Sequence, residues 1–142
     1  MKRVQLAAVE AGFVHNNLVL LADKDHLDAL DALLAPGEAT FLRQAAAHDV
    51  SSFSFPRAAG VLFVRILKSE KDPYIALEDA RLAGNELLGE LRRYKIETLG
   101  IQNLCAENRV LAFAEGLALG SYQSVSYTHL LALWCFLICW WS

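Results

Sequence analysis

The chain has 142 residues, with 13 Lys and Arg against 16 Asp and Glu and a formal net charge of −3. That length suits one domain of ordinary size with a buried core. The net negative charge excludes a protein that binds nucleic acid through a basic face. The hydrophobic fraction of 55% excludes a disordered chain.

Two apolar runs near the N-terminus predict the first two strands. The run over residues 2–9 mixes polar and apolar side chains, and the run over residues 17–22 is short and rich in strand-forming residues. Asn16 and Asn17 mark a turn between the two runs.

Leucines at helical spacing predict a helix over residues 25–34. Asp25 is expected to cap this helix, and Pro36 with Gly37 is expected to stop it. A second, shorter helix is expected over residues 38–47. The leucines that define the first helix are Leu27, Leu30 and Leu34.

Two strands are expected in the middle of the chain. Residues 51–55 alternate serine with phenylalanine and are followed by Pro56, a pattern typical of an edge strand. Residues 61–67 (VLFVRIL) carry the strongest strand signal in the chain and are expected at the centre of the sheet.

The following residues predict a helix, a strand and a helix. Pro73 suits the first turn of a helix in which apolar residues recur every three or four positions. A strand is expected over residues 96–104 and a last helix over residues 106–120. The residues expected to face inward are Leu77, Ala80, Gly84, Leu87, Leu88 and Leu91, then Leu111, Ala114, Leu117 and Ala118.

The composition changes near residue 123. All charged residues precede Ser124, whereas residues 124–142 hold all three Trp and two of the three Cys. At the chain's own average of 20%, these 19 residues would hold about four charges. We therefore expect an α/β domain over residues 1–123, in which a mixed sheet is flanked by helices, and a separate tail over residues 124–142.

Motif searches find no catalytic equipment. The chain lacks the G-x-S-x-G nucleophile elbow, the G-x-x-x-x-G-K-[ST] phosphate loop and the G-x-G-x-x-G dinucleotide loop. The aspartates between residues 23 and 31 lack the Gly and the terminal Glu of a calcium loop, so they predict a capped, solvated helix face. Gly116 and Gly120 form a G-x-x-x-G pattern that we interpret as close helix packing.

The histidines and cysteines predict neither a metal site nor a nucleophile. The candidates are His15, His26, His48, His129, Cys105, Cys135 and Cys139. The first three histidines are isolated and are expected on the surface or in turns, and the tail supplies too few ligands for zinc. Cys105 has no neighbouring His or basic residue and is expected to be a buried structural thiol. No residue is predicted to be catalytic, metal-binding or cofactor-binding.

A cytoplasmic location is expected. Cys105 is the only cysteine before residue 124, so this part of the chain has no internal disulfide. Lys2 and Arg3 precede an apolar stretch that ends at Glu10 and is too short for the core of a signal peptide. The 12 apolar residues at 130–141 are fewer than the roughly 20 that a membrane helix needs.

The decapeptide at residues 114–123, A-E-G-L-A-L-G-S-Y-Q, resembles a segment of the leucyl aminopeptidase family, the M17 metallopeptidases. In that family a helix reading A-E-G-L-x-L-G-x-Y closes the N-terminal domain, just before the catalytic domain. The strand expected at 61–67, the helix at 75–94 and the strand at 97–104 precede it in the family's order. The resemblance covers roughly residues 2–123.

The resemblance implies a macrodomain-like, three-layer domain that carries no catalytic residue. Family members are hexameric exopeptidases that release N-terminal residues from peptides with two divalent metal ions, zinc or manganese. The signature of their catalytic domain, resembling N-T-D-A-E-G-R-L, does not occur in this sequence. The chain is therefore expected to be a truncated, inactive part of such an enzyme. Its expected partners are the missing catalytic domain and further copies of the protein, and neither nucleic acid nor membrane.

The tail is expected to be foreign to the protein. Residues 124–130, S-V-S-Y-T-H-L, resemble the translation of the transposon end that is used to prepare sequencing libraries. We interpret residues 124–142 as a sequencing or assembly artefact. A natural hydrophobic anchor is the competing interpretation.

A stand-alone, macrodomain-like module that binds a nucleotide or ADP-ribose is the alternative function. Such a site needs a glycine-rich loop whose backbone N–H groups reach phosphate. The eight glycines of the chain are scattered singly, which argues against this alternative.

Overall fold

The computed structural model describes residues 16–68, 71–105 and 108–126, with side chains up to residue 121. The predicted strand at residues 2–9 and the tail beyond residue 126 lie outside the described residues. The described strands are β1 (Leu18–Asp23), β2 (Ser52–Pro56), β3 (Val61–Leu67) and β4 (Gly100–Asn103). The described helices are α1 (Asp28–Asp31), α2 (Pro36–Ala46), α3 (Pro73–Arg93) and α4 (Val110–Ser126).

The four described strands form one mixed sheet in the order β2-β3-β1-β4. Leu20 of β1 lies opposite Val64 of β3 and Gln102 of β4, and both pairings are parallel. Phe53 of β2 lies opposite Val64 in an antiparallel pairing. The predicted α/β domain with a mixed sheet is thereby confirmed, as are an inner position for β3 and an edge position for β2.

Helices cover both faces of the sheet. Successive residues of β1 and β3 point to opposite sides, so each face has its own cluster of buried side chains. The cluster that joins the sheet to α3 and α4 contains Val19, Leu21, Phe63, Leu87 and Phe113. The cluster that joins the other face to α1 and α2 contains Leu20, Val64, Leu30 and Leu42. The sheet therefore lies between two helical layers.

The backbones of α3 and α4 are in close contact at glycines. A Cβ atom at Gly116 would clash with the carbonyl group of Arg81, and one at Gly84 would clash with the carbonyl oxygen of Phe113. Beside this contact, Nε of Arg81 lies 3.0 Å from Oε2 of Glu115. The interpretation of the G-x-x-x-G pattern as close helix packing is confirmed for Gly116.

The prediction for the first helix was wrong in length and in its cap. Leu27 occupies the N-cap position of α1, and no side chain caps the helix there, so Asp25 does not have the expected role. Pro36 does not merely stop the first helix; it is the first residue of α2. Because a proline disfavours helical geometry in the residue before it, Ala35 is extended with ψ of 152°, which separates α1 from α2.

The strand predicted over residues 96–104 begins later than expected, because Ile96 caps the end of α3 instead of pairing in the sheet. Lys95 adopts a φ of 55°, and the N–H of Ile96 then donates to the carbonyl of Leu91 at 2.9 Å. This arrangement satisfies carbonyl groups that the end of a helix leaves exposed. Pairing with β1 starts only where the N–H of Gly100 donates to the carbonyl of Asn17 at 2.9 Å.

The last helix begins later than predicted, at Val110 rather than at residue 106. Leu111 is 69% exposed and does not face inward as expected, whereas Phe113 is fully buried. The two side chains are about 200° apart around the helix axis, so they cannot share a buried face. In the described part of the chain, no helix combines the length and the apolarity that crossing a membrane requires.

Gly116→Ala is expected to lower the free energy of unfolding by about 2 kcal/mol, because the added methyl group meets the backbone of α3. Urea denaturation followed by far-UV circular dichroism measures the change. Gly89→Ala is the matched control, since it lies in α3 with no atom within 4 Å of the added Cβ. The control should raise the free energy of unfolding by up to about 1 kcal/mol through helix propensity. Similar effects of the two substitutions would contradict the packing account.

Candidate functional site

The parallel strands β1, β3 and β4 end together at one edge of the sheet, which we call the carboxyl edge. The chain leaves β1 toward the helices of one face and leaves β3 toward the helix of the other face. Neighbouring strand ends whose loops diverge in this way leave a crevice between them, and ligands of open α/β sheets bind in such crevices. The carboxyl edge is therefore the candidate site.

A crevice of about 640 Å³ opens at this edge, between the end of β3 and one side of α3. We call it the β3–α3 crevice. Its volume lies within the range of sites for small molecules. The turn from α2 into β2 and Lys24, the residue after β1, complete its lining. The charged residues that line it are Lys24, Asp49, Arg65, Lys68, Asp79 and Glu86.

Arg65 provides the deepest charge of the crevice, with only 3% of its surface exposed. Its Nη1 donates to the carbonyl groups of Phe53 and Val64, each at 3.0 Å. Its Nη2 lies 3.2 Å from Oε2 of Glu90, which also accepts a hydrogen bond from Ser54 Oγ at 2.6 Å. Within the described part of the chain, Nε of Arg65 has no hydrogen-bond partner.

The charged side chains at the mouth of the crevice have fewer protein partners than Arg65. Nζ of Lys24 lies 3.1 Å from Oδ1 of Asp49, but both side chains are exposed and water weakens the pair. Oδ2 of Asp79 accepts a hydrogen bond from the backbone N–H of Lys68 at 3.1 Å. Among the described residues, neither the ammonium group of Lys68 nor the carboxylate of Glu86 has an ion-pair partner.

A buried charge pair lies at the end of β1, where α4 begins. Asp23 and Arg109 are both buried, with Arg109 Nη2 at 3.9 Å from Asp23 Oδ1. Arg109 Nη1 also donates to the carbonyl of Lys68 at 3.0 Å, and Nδ1 of His26 lies 3.7 Å from Asp23 Oδ2. This pair therefore connects the start of α4 to the ends of β1 and β3. Removing one partner would leave a buried charge without compensation.

Cys105 lies next to this pair and is half-buried, not fully buried as expected. Burial is the main cause that raises the pKa of the Cys105 thiol to about 12, and the carboxylate of Asp23 acts in the same direction. The positive charge of Arg109 opposes this shift. At neutral pH the side chain is therefore a protonated thiol and a poor nucleophile.

The acidic residues near the first helix do not form one cluster. Asp28 and Asp31 are partly or fully exposed and lie 3.1 and 2.6 Å from Nη2 of Arg43, as expected for a solvated helix face. Asp23 was wrongly included in that face, because it is the last residue of β1 and is buried. No three described His, Cys, Asp or Glu side chains are grouped so that they could hold a metal ion.

The other residues considered from the sequence are placed as follows. His26 and His48 are exposed and in turns, in agreement with the prediction. His15, His129, Cys135 and Cys139 lie outside the described residues. The sequence search missed Arg65 and Arg109, although a cation inside the apolar run VLFVRIL is a sign of a buried charge that needs a partner.

The loops at the carboxyl edge contain no glycine in the sequence, neither between β1 and α1, nor between β3 and α3, nor between β4 and α4. Backbone N–H groups that cradle phosphate usually come from glycine-rich loops at this edge. The composition of these loops therefore counts against a site for a nucleotide or ADP-ribose.

Neither a family model, nor a curated protein, nor a solved structure matches the chain.

Cys105 is expected to react with iodoacetamide about a thousandfold more slowly in the folded chain than in guanidinium chloride at pH 8, since its pKa rises from 9.0 to about 12. Mass spectrometry of the peptide that contains Cys105 separates it from the other cysteines. A rate that levels off near pH 9 in the folded chain would contradict the raised pKa.

The raised pKa of Cys105 also predicts how the free energy of unfolding depends on pH. The thiol keeps its proton to a higher pH in the folded state than in the unfolded state. The contribution of Cys105 to the free energy of unfolding therefore falls as the pH rises from about 9 to 12.

Proposed function

We propose that residues 1–123 are the N-terminal, non-catalytic domain of a leucyl aminopeptidase of the M17 family, with a role in structure and assembly. The observation that carries this proposal is the part that the family-like decapeptide, residues 114–123, plays in α4. Its described residues serve mainly to pack α4 against α3 and the sheet, which is what a non-catalytic helix at the end of a domain requires.

The individual positions of the decapeptide support this reading. Gly116 permits the backbone contact with α3, and a Cβ at Gly120 would clash with the side chains of α3. Glu115 binds Arg81, with 3.0 Å between Oε2 and Nε. Leu117 is buried in the core shared by both helices and the sheet. Leu119 is exposed and is available for a contact outside this domain.

The sheet and its two helical layers are compatible with a macrodomain-like, three-layer domain. The two divalent metal ions of the parent enzyme, zinc or manganese, would bind in the catalytic domain and not at these residues. The parent enzyme would be a cytoplasmic hexamer that includes both domains. Residues 124–142 are proposed to be foreign sequence that replaces the connection to the catalytic domain.

The DNA provides the most direct test of this proposal. Codons 124–130 should match the transposon end, and an intact genomic copy should continue in frame from codon 123 into a domain that contains the N-T-D-A-E-G-R-L signature. An intact gene that instead encodes residues 124–142 and stops there would refute the assignment. No purified protein is needed for this test.

The chain of 142 residues is expected to show no hydrolysis of leucine p-nitroanilide with added manganese, because the residues that would bind the two metals are absent. Release of p-nitroaniline, measured by absorbance beside an active M17 enzyme as the positive control, checks this. Turnover that is abolished by a chelator and retained through further purification would show that the chain is itself an enzyme.

In the restored full-length enzyme, Leu119→Asp is expected to weaken the hexamer, because it places a charge where an apolar contact with another domain or subunit is proposed. Leu111→Asp is the matched control, since Leu111 is also exposed on α4 but lies outside the decapeptide. Sedimentation velocity measures the assembly of both variants. Equal hexamer stability in the two variants would argue against a contact at Leu119.

A further inference from the structure

The two walls of the β3–α3 crevice carry net charges of opposite sign. The strand side supplies Lys24, Arg65 and Lys68, and Asp49 on that side is paired with Lys24 at 3.1 Å. The wall formed by α3 supplies Asp79 and Glu86. An ion of either sign would be attracted by one wall and repelled by the other. A small ligand that carries both charges is favoured by both walls.

Three polar groups of these walls lack a partner among the described residues and could bind a ligand. Lys68 and Glu86 are exposed, and neither side chain has an ion-pair partner among the described residues. Nε of Arg65 is buried and lacks a hydrogen-bond partner in the described part of the chain. A buried N–H group without a partner is costly, so a ligand oxygen that accepts from it would be favoured.

The crevice also has an apolar part. Leu82 of α3 is 52% exposed and Val50 before β2 is 43% exposed, and both line the crevice. A ligand with an apolar group could cover these side chains and remove their surface from water. The ligand should therefore combine a cation, an anion and an apolar group.

We infer that the β3–α3 crevice binds a free α-amino acid with an apolar side chain. Its carboxylate lies toward Lys68 and Nε of Arg65, its ammonium group lies toward Glu86, and its side chain covers Leu82 and Val50. The inference is independent of the proposed function, because neither α4 nor the decapeptide lines this crevice. Failure of one would leave the other standing.

Titration of the full chain with L-leucine tests the inference. Isothermal calorimetry should give a dissociation constant on the order of 1 mM, as expected for so small a ligand. Nitrogen-15 NMR spectra should show shifts at Lys24, Lys68, Leu82 and their neighbours. Leucinamide, which lacks the carboxylate, and 4-methylpentanoate, which lacks the amine, should each bind roughly tenfold more weakly, because each loses the attraction of one wall.

Two substitutions locate the binding in the crevice. Lys68→Met and Glu86→Gln should each weaken leucine binding by roughly tenfold, because each removes one of the charges assigned to the ligand. Lys95→Met and Glu78→Gln are matched controls, since these exposed residues lie outside the crevice and should leave the affinity unchanged. Circular dichroism verifies that all four variants retain the fold.

Several results would overturn the inference. One is the absence of NMR shifts with about 20 mM leucine, a concentration well above the expected dissociation constant. Another is equal affinity for leucine and its two analogues. The third is an unchanged affinity for leucine after both crevice substitutions. ADP-ribose is titrated in parallel. Tight binding of ADP-ribose with no response to leucine would also refute the inference and would favour a nucleotide-binding module instead.

Discussion

The position of β1 determines the arrangement of the described structure. This strand has a parallel neighbour on each side, and its residues 19–22 are completely buried. The connection from β1 to β3 contains α1, α2 and the antiparallel strand β2, so part of it lies in the sheet itself. The connection from β3 to β4 contains α3 and runs back past β1. The helices α1 and α2 pack on one face of the sheet, and α3 packs on the other.

This topology also explains why charged groups meet at the carboxyl edge. The chain leaves the ends of β1 and β3 in opposite directions, so the backbone of the loops does not cover the space between them. Arg65 near the end of β3 and Arg109 before α4 are both buried and are held by Glu90 and Asp23, respectively. Their backbone partners, such as the carbonyl of Lys68, compensate part of the cost of burying these charges.

The spacing of apolar residues correctly predicted the elements that bury a whole strand or one face of a helix. The apolar run at 61–67 became β3, and the spacing after Pro73 became α3, because burial of one strand or one helix face is decided by local sequence. The errors arise where a neighbour changes the outcome. Pro36 forces Ala35 to be extended, Ile96 is used to cap α3, and Phe113 takes the inward position expected for Leu111.

The candidate site was less predictable than the fold for a related reason. Lys24, Lys68 and Glu86 are far apart in the sequence, and no spacing rule connects them. They line one crevice only because β3 lies next to β1 and α3 packs beside β3. The sheet order is a property of long-range pairing, so a search for local motifs does not detect the crevice.

Both proposals depend on α3, but they use different faces of it. Arg81 and Gly84 face α4, whereas Asp79, Leu82 and Glu86 line the crevice. At about 100° per residue, the two sets lie roughly half a turn apart around the helix axis. The contact with α4 constrains residue size at the glycines, and the crevice constrains charge on the opposite side. A substitution in one face should therefore leave the other intact, and the structural role of the helix pair does not exclude a ligand in the crevice.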